Sequence, residues 1–248
     1  MATVTFSTWA QQMRDIFRSS TVSQFIISGN INDYVAYTTE TETVYLSLKE
    51  YLSTVLLAPF DVVVTYDRGQ GIQVLKGESF FFEFLRIFDY YHGTKMSPSA
   101  GVTGDTTKAL STLNMLPRNP VQALELIDRF LNSVRVKNAK SPQSAAVIID
   151  YAHFIVPQSE TIHLTGDIGS QIIKILNWAE DSSYRDSGVM TCLLTENLLD
   201  IHTLISGSAH NAKIGIKLPD TTEITEFIEW LFKKEEAFGT YCRLDAQF

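Results

Sequence analysis

No stretch of this 248-residue chain approaches the roughly 18 consecutive apolar residues of a membrane-crossing helix. Its N-terminus, MATVTFSTWAQQMRDIF, lacks the basic start and apolar run of a secretion signal, so the cytoplasm is the expected compartment. Positive charge is also short: 20 Lys and Arg stand against 28 Asp and Glu, for a net charge of −8. No basic run is longer than Lys233-Lys234, and nucleic acid is therefore not an expected partner. Only two cysteines occur, Cys192 and Cys242, too few and too far apart for a disulfide framework or a metal site. Cys192 lies in the apolar run VMTCLL and reads as a small buried hydrophobe. The chain has no GxSxG elbow, no HExxH, and its five histidines are scattered without metal-ligand spacing.

What is plentiful is apolar. Hydrophobic residues make up 45% of the chain and aromatics 11%, enough for a substantial packed core. Phe6, Trp9, Ala10, Met13, Ile16 and Phe17 recur at helical spacing within an N-terminal helix over 1–20. The run from Ser23 to Ser28, closed by Gly29-Asn30, reads as a buried strand, and a second helix is expected around Leu46 to Leu57. DVVVTYD, from Asp61 to Asp67, is a further strand, with Ile72 to Leu75 pairing back as a hairpin. An aromatic-rich helix is expected from Ser79 to Tyr91. Residues 92–118 lack apolar periodicity and read as a flexible insertion. Asn119-Pro120 is a helix start with Asn as N-cap and Pro at the first position. Strands follow at Ala145 to Asp150, Val189 to Leu194 and Ala212 to Leu218, with helices at Asp167 to Ala179 and Leu198 to Ile205. A final helix opens at Pro219-Asp220 with an Asp220/Glu223 capping box.

Continuous apolar strands alternating with helices predict an α/β fold: three layers, α-β-α, around a mainly parallel sheet of about five strands, in one domain spanning 1–248. In such sheets ligands gather at the carboxyl ends of the strands. That rule selects Asn30 and Asp33 after the first strand, Asp67 after the second, Asp150 after the third, and Glu196 with Asn197 after the fourth. Each has a plainer role available, since Asp and Asn at strand ends commonly hold turns and caps. His153 and His163 flank a Pro-containing loop and read as solvated. A cradle at Gly69-Gln70-Gly71 with Lys76-Gly77 is disfavoured, because that stretch opens a hairpin and brings no helix N-terminus.

Three runs in order carry a resemblance. AAVIID, ending in Asp150, looks like a Walker B strand; CLLTENLLDIHTLI looks like a sensor-1 strand, with Asn197 at the polar position; NAKIGIKLPDTTEITEFI looks like the last strand and following helix. Together they resemble the core of AAA+ ATPases over most of residues 22 to 232. The resemblance implies ATP and Mg²⁺ as cofactors, Asp150 as the metal anchor, Asn197 as the residue orienting the attacking water, and Gly29 and Asn30 at the nucleotide.

The departures from that pattern are equally specific. Nothing of the form GxxxxGK[ST] occurs, and the loop after the first strand, SGNIND, has one glycine, no lysine and an aspartate. Tyr151 stands where a catalytic glutamate would follow Asp150, and no arginine lies between Leu198 and Asn211. The expectation is a degenerate AAA+-like module that does not hydrolyse ATP and needs no cofactor of its own. It would serve oligomerisation or docking of other protein subunits, as the N-terminal, inactive tier of a longer ATP-driven remodelling protein. Two alternatives stay open: metal-dependent phosphoester chemistry by Asp33, Asp67, Asp150 and Glu196, or nucleotide binding without hydrolysis.

Overall fold

A computed structural model describes residues 6–39, 42–97, 116–136, 142–160 and 166–234. The central sheet has six strands: β1 (Gln24–Gly29), β4 (Val62–Asp67), β5 (Gly71–Lys76), β6 (Ala145–Ile149), β7 (Val189–Thr195) and β8 (Asn211–Ile216). Their spatial order is β5-β4-β6-β7-β1-β8, and every neighbouring pair is parallel except the β4/β5 hairpin. The expected five strands are thus the parallel ones, and the hairpin partner adds an antiparallel edge. A separate two-stranded sheet joins β2 (Tyr34–Thr38) to β3 (Thr43–Ser47).

The central strands are apolar because both faces of the sheet are covered. Ile26, Val62, Val64, Tyr66, Val147 and Ile149 point into one core. Phe25, Ile27, Val63, Ala146, Ile148 and Cys192 point into the other. This strict alternation is the two-residue period of a pleated strand, with each side chain a layer apart from its neighbour. The first core is closed by α3 (Glu78–His92), α4 (Pro120–Arg135) and α5 (Gly166–Glu180), joined by edge-to-face contacts of Phe81 and Phe84 with Phe130. The short α6 (Ser182–Asp186) adds Tyr184 to the same core. The second core is closed by α1 (Thr8–Arg18), the β2/β3 hairpin and α2 (Leu48–Tyr51). Burying a Leu, Ile or Phe side chain in such layers stabilises by about 1.5–3 kcal/mol each.

Local signals set the element ends. Asn119 accepts from the amides of Val121 and Gln122, a cap of about 1 kcal/mol. The last described helix, α8 (Thr221–Lys234), opens on a reciprocal capping box: Glu223 N donates to the Asp220 carboxylate, and Asp220 N to the Glu223 carboxylate. Two expectations need correction. The helix placed over Leu46 to Leu57 begins only at Leu48, because Thr43 to Ser47 is recruited into the hairpin, and from Leu52 to Leu56 it widens into a π-turn. The single helix placed over Leu198 to Ile205 is a 3₁₀ turn at Leu198–Asp200 and a short α7 at Thr203–Ser206, separated where Ile201 bridges Pro157. Most of the 92–118 insertion lies outside the described residues, as do His163 and Cys242. Among the described residues no helix is long and apolar enough to cross a membrane.

Candidate functional site

The parallel strands all end at one edge of the sheet, so the residues selected from the sequence come out side by side. Asp67, Asp150, Glu196 and Gly29 terminate or follow β4, β6, β7 and β1, which are consecutive in the sheet. What each one does there follows from its hydrogen bonds.

The loop after β1 is closed by its own backbone. Gly29 N donates to the Glu196 carbonyl, Asn30 N to the Ile216 carbonyl, and Ile31 N to the Gly29 carbonyl. Gly29 takes φ 102°, and a Cβ there would come within 2.2 Å of the Ile216 oxygen, so only glycine lets the two backbones meet. The side chains are engaged as well. Asn30 donates to the Asp33 carboxylate at 2.7 Å, whose other oxygen receives the amide of Tyr34, and Asn32 donates to the Glu196 carboxylate at 2.7 Å. The chain then continues into β2 and not directly into a helix; α2 returns to the loop only after the hairpin, where Leu48 N donates to the Asp33 carbonyl.

Asp150 is almost buried. Its backbone amide donates to the Tyr66 carbonyl, one carboxylate oxygen receives the amide of Tyr151, and the other meets Lys49 Nζ at 2.6 Å. Lys49 comes from the first turn of α2, just past the hairpin inserted after β1. The Asp150 side chain is 11% exposed and that of Lys49 35%. This lysine has no sequence signature: it lies 16 positions beyond Asp33, and only the return of the hairpin brings it to the strand edge. Beside it, Tyr151 sits at φ 49°, a left-handed conformation that costs a non-glycine residue roughly 1–2 kcal/mol. It turns the chain sharply into the 3₁₀ turn at Ala152–Phe154.

Asp67 and Asp150 end adjacent strands, as the phosphoester reading requires, but Asp67 is committed to a turn. One oxygen accepts the amides of Gly69 and Gln70, 2.8 and 2.7 Å away, and fixes the β4/β5 connection. Among the described residues no three of His, Cys, Asp and Glu come together in a way that could hold a metal ion. Asn197 is exposed and caps the 3₁₀ turn that follows, accepting from Leu199 N and donating to Asp200. Behind it, the Thr195 hydroxyl donates to the Asn197 carbonyl. A hydroxyl has one hydrogen, so His153 Nδ1, 3.2 Å away, is the donor to Thr195.

The edge therefore presents polar groups already engaged within the chain: Asn30, Asp67 and Asn197 in their own turns, Glu196 with Asn32, and Asp150 with Lys49. The sequence signal for this was the turn and cap chemistry of Asp and Asn; the Lys49 contribution was not visible in it.

Over residues 3–217 the chain matches the protein family described as AAA+ chaperone, N-terminal Rossmann-like domain. No curated protein matches it. Among solved structures, a chain from the structure of the E. coli MS115-1 HORMA:CdnC:Trip13 complex superposes with a TM-score of 0.47 at 10% identity. That alignment covers 96% of this chain and 62% of the other, so this chain spans less than two thirds of its length.

Proposed function

We propose, from the premise that this chain belongs to the family of AAA+ chaperone N-terminal Rossmann-like domains, that it acts as a docking and bracing module of a larger ATP-driven remodelling assembly and does not hydrolyse ATP itself. The observation that carries this reading is the loop after β1. A phosphate cradle works through free backbone N–H groups, a lysine and the dipole of a following helix. Here the amides of Gly29, Asn30 and Ile31 are already donating to Glu196, Ile216 and Gly29, and the loop's own charged group is the Asp33 carboxylate. Turning the Asn30 amide to a triphosphate would break a contact that ties β1 to β8, and the Asp33 carboxylate would set its charge against the phosphate.

Lys49 supports the same reading from the other side. An aspartate at the Asp150 position is useful to a nucleotide because it holds Mg²⁺. With the Lys49 ammonium 2.6 Å away, its charge is compensated from within the chain. The site then needs no cation to be stable, and the strand edge becomes a fixed structural feature on which partner subunits can be positioned. The test is titration of the purified chain with Mg²⁺·ATP by calorimetry, with phosphate release followed in parallel. No heat of binding and no release are expected. Micromolar binding with turnover abolished by Asp150→Asn would overturn the reading.

A further inference from the structure

The β2/β3 sheet stands apart from the six-stranded sheet and has only two strands. One of its faces, carrying Val35, Tyr37 and Leu46, packs into the second core. On the other face, Tyr34 and Tyr45 receive α8: Phe227 stacks on Tyr34 at 5.4 Å and meets Tyr45 edge-on at 5.0 Å, with Trp230 5.1 Å from Tyr45. The hairpin is held on both faces, and among the described residues no further strand pairs with either of its edges.

The register says which backbone groups those edges offer. Thr39 N donates to the Glu42 carbonyl at one end of the ladder, and Leu48 N to the Asp33 carbonyl at the other. The hydrogen-bonded pairs between them are therefore Tyr37/Val44 and Val35/Leu46. The alternate residues of β3, Thr43 and Tyr45, turn their N–H and C=O groups outward, where the described residues supply no further strand. Along this edge runs a cleft of about 720 Å³ between β3 and α8, walled by Thr43 and Tyr45 on one side and by Trp230 on the other. Its rim carries three carboxylates, Glu42, Glu226 and Glu229, against two ammonium groups, of which Lys234 lies 4.7 Å over the Trp230 ring.

We infer that this cleft receives an extended, basic segment of a partner protein, which adds to β3 as a third strand. The main-chain groups of Thr43 and Tyr45 supply the ladder. Trp230 supplies an apolar wall for one set of alternate side chains, and the glutamates receive Arg or Lys from the other set. The Tyr45 hydroxyl reports the same field, its pKa being raised by burial and then by Glu226 and Glu223. α8 lies beyond the residue 217 limit of the family match, so half of the cleft is built outside the shared domain. The inference rests on the docking reading, but the ATP titration above tests that reading separately.

The test uses fluorescence anisotropy with a short labelled peptide of alternating valine and arginine. It is expected to bind, to bind about tenfold more weakly to the Glu226→Gln/Glu229→Gln variant, and to lose affinity to salt. Peptides N-methylated on one set of alternate amides should lose binding, and those methylated on the other set should keep it, because an edge strand uses every second N–H. Thr43→Pro, which removes an outward N–H and leaves the hairpin's own ladder intact, should weaken binding as well. The inference is overturned if the valine–arginine peptide fails to bind, if a valine–glutamate peptide binds equally well, or if both methylation sets bind alike. It is also overturned in favour of a second copy of this chain if sedimentation shows a dimer that Thr43→Pro dissociates.

Discussion

Removing Lys49 should cost more than removing the charge of the aspartate it pairs with, and the asymmetry follows from their burial. In Lys49→Met, the Asp150 carboxylate, on a side chain only 11% exposed in the parent, keeps only the amide of Tyr151 as donor to it. A surface pair is worth at most about 1 kcal/mol, whereas stranding one member of a buried pair costs about 3–5 kcal/mol. Lys49 is about one-third exposed and its partner nearly buried, so a loss of about 2 kcal/mol is expected. For a chain of this size that lowers Tm by roughly 4–8 °C. Asp150→Asn should cost about half as much, because its carbonyl can still accept from Tyr151 and the freed lysine can turn to water. The double variant should lie closer to Lys49→Met than to the sum, with a coupling energy of about 1 kcal/mol. Urea denaturation of the four proteins measures this cycle, and repeating it in high salt should leave most of the coupling, since the carboxylate is shielded from screening. A coupling below about 0.3 kcal/mol, or Lys49→Met as stable as the parent, would refute the claim that Lys49 is the standing counter-ion of Asp150.

Three further outcomes follow from individual contacts. Gly29→Ala forces a Cβ to 2.2 Å from the Ile216 oxygen at φ 102°, and should destabilise by roughly 3 kcal/mol or more, read from the denaturation midpoint. Burial raises the Asp89 carboxyl, but hydrogen bonds from Met96 N, Ser97 and the Thr94 hydroxyl outweigh it and bring the pKa down to about 2. Its folded value lies below its ordinary one, so its contribution is complete above about pH 4 and is lost as pH falls through 2. Asp89→Asn should therefore be less stable than the parent at pH 6, and the gap should close in denaturation curves taken towards pH 2. Asp220→Ala removes one arm of the α8 capping box, and should speed amide exchange in the first turn of α8 by about fivefold, for roughly 1 kcal/mol, while the amides of β6 are unchanged.

The central sheet was legible because its strands are short, continuous apolar runs, and nothing but a doubly covered parallel sheet buries AAVIID and VMTCLL on both faces. Caps were legible wherever one residue type does the capping, as at Asn119 and Asp220. The β2/β3 hairpin was not. Tyr34 to Thr38 (YVAYT) shows no apolar–polar alternation, its partner Thr43 to Ser47 runs straight into α2, and helical periodicity from Leu46 onward masks the strand. Missing the hairpin also hid Lys49, whose reach to Asp150 exists only because the hairpin folds back. The candidate site shows the same division. That Gly29, Asn30, Asp67 and Asn197 stand at strand ends was readable from order along the chain. That Asn32 meets Glu196, that Asp150 meets Lys49, and that the Gly29 and Asn30 amides meet the Glu196 and Ile216 carbonyls required the geometry, because each of those partners lies on a different element; Asp67 and Asn197 bond within their own turns.

The most direct test of the account is the Mg²⁺·ATP titration of the parent chain alongside Lys49→Met, with calorimetric heats and released phosphate measured on the same samples. The account predicts no binding and no phosphate from either protein, because the amides of Gly29, Asn30 and Ile31 stay engaged and the Asp33 carboxylate stays in the β1 loop even when Asp150 has lost its lysine. Saturable binding by the parent would contradict it. So would phosphate release by Lys49→Met, which would mean that Lys49 blocks a working cradle.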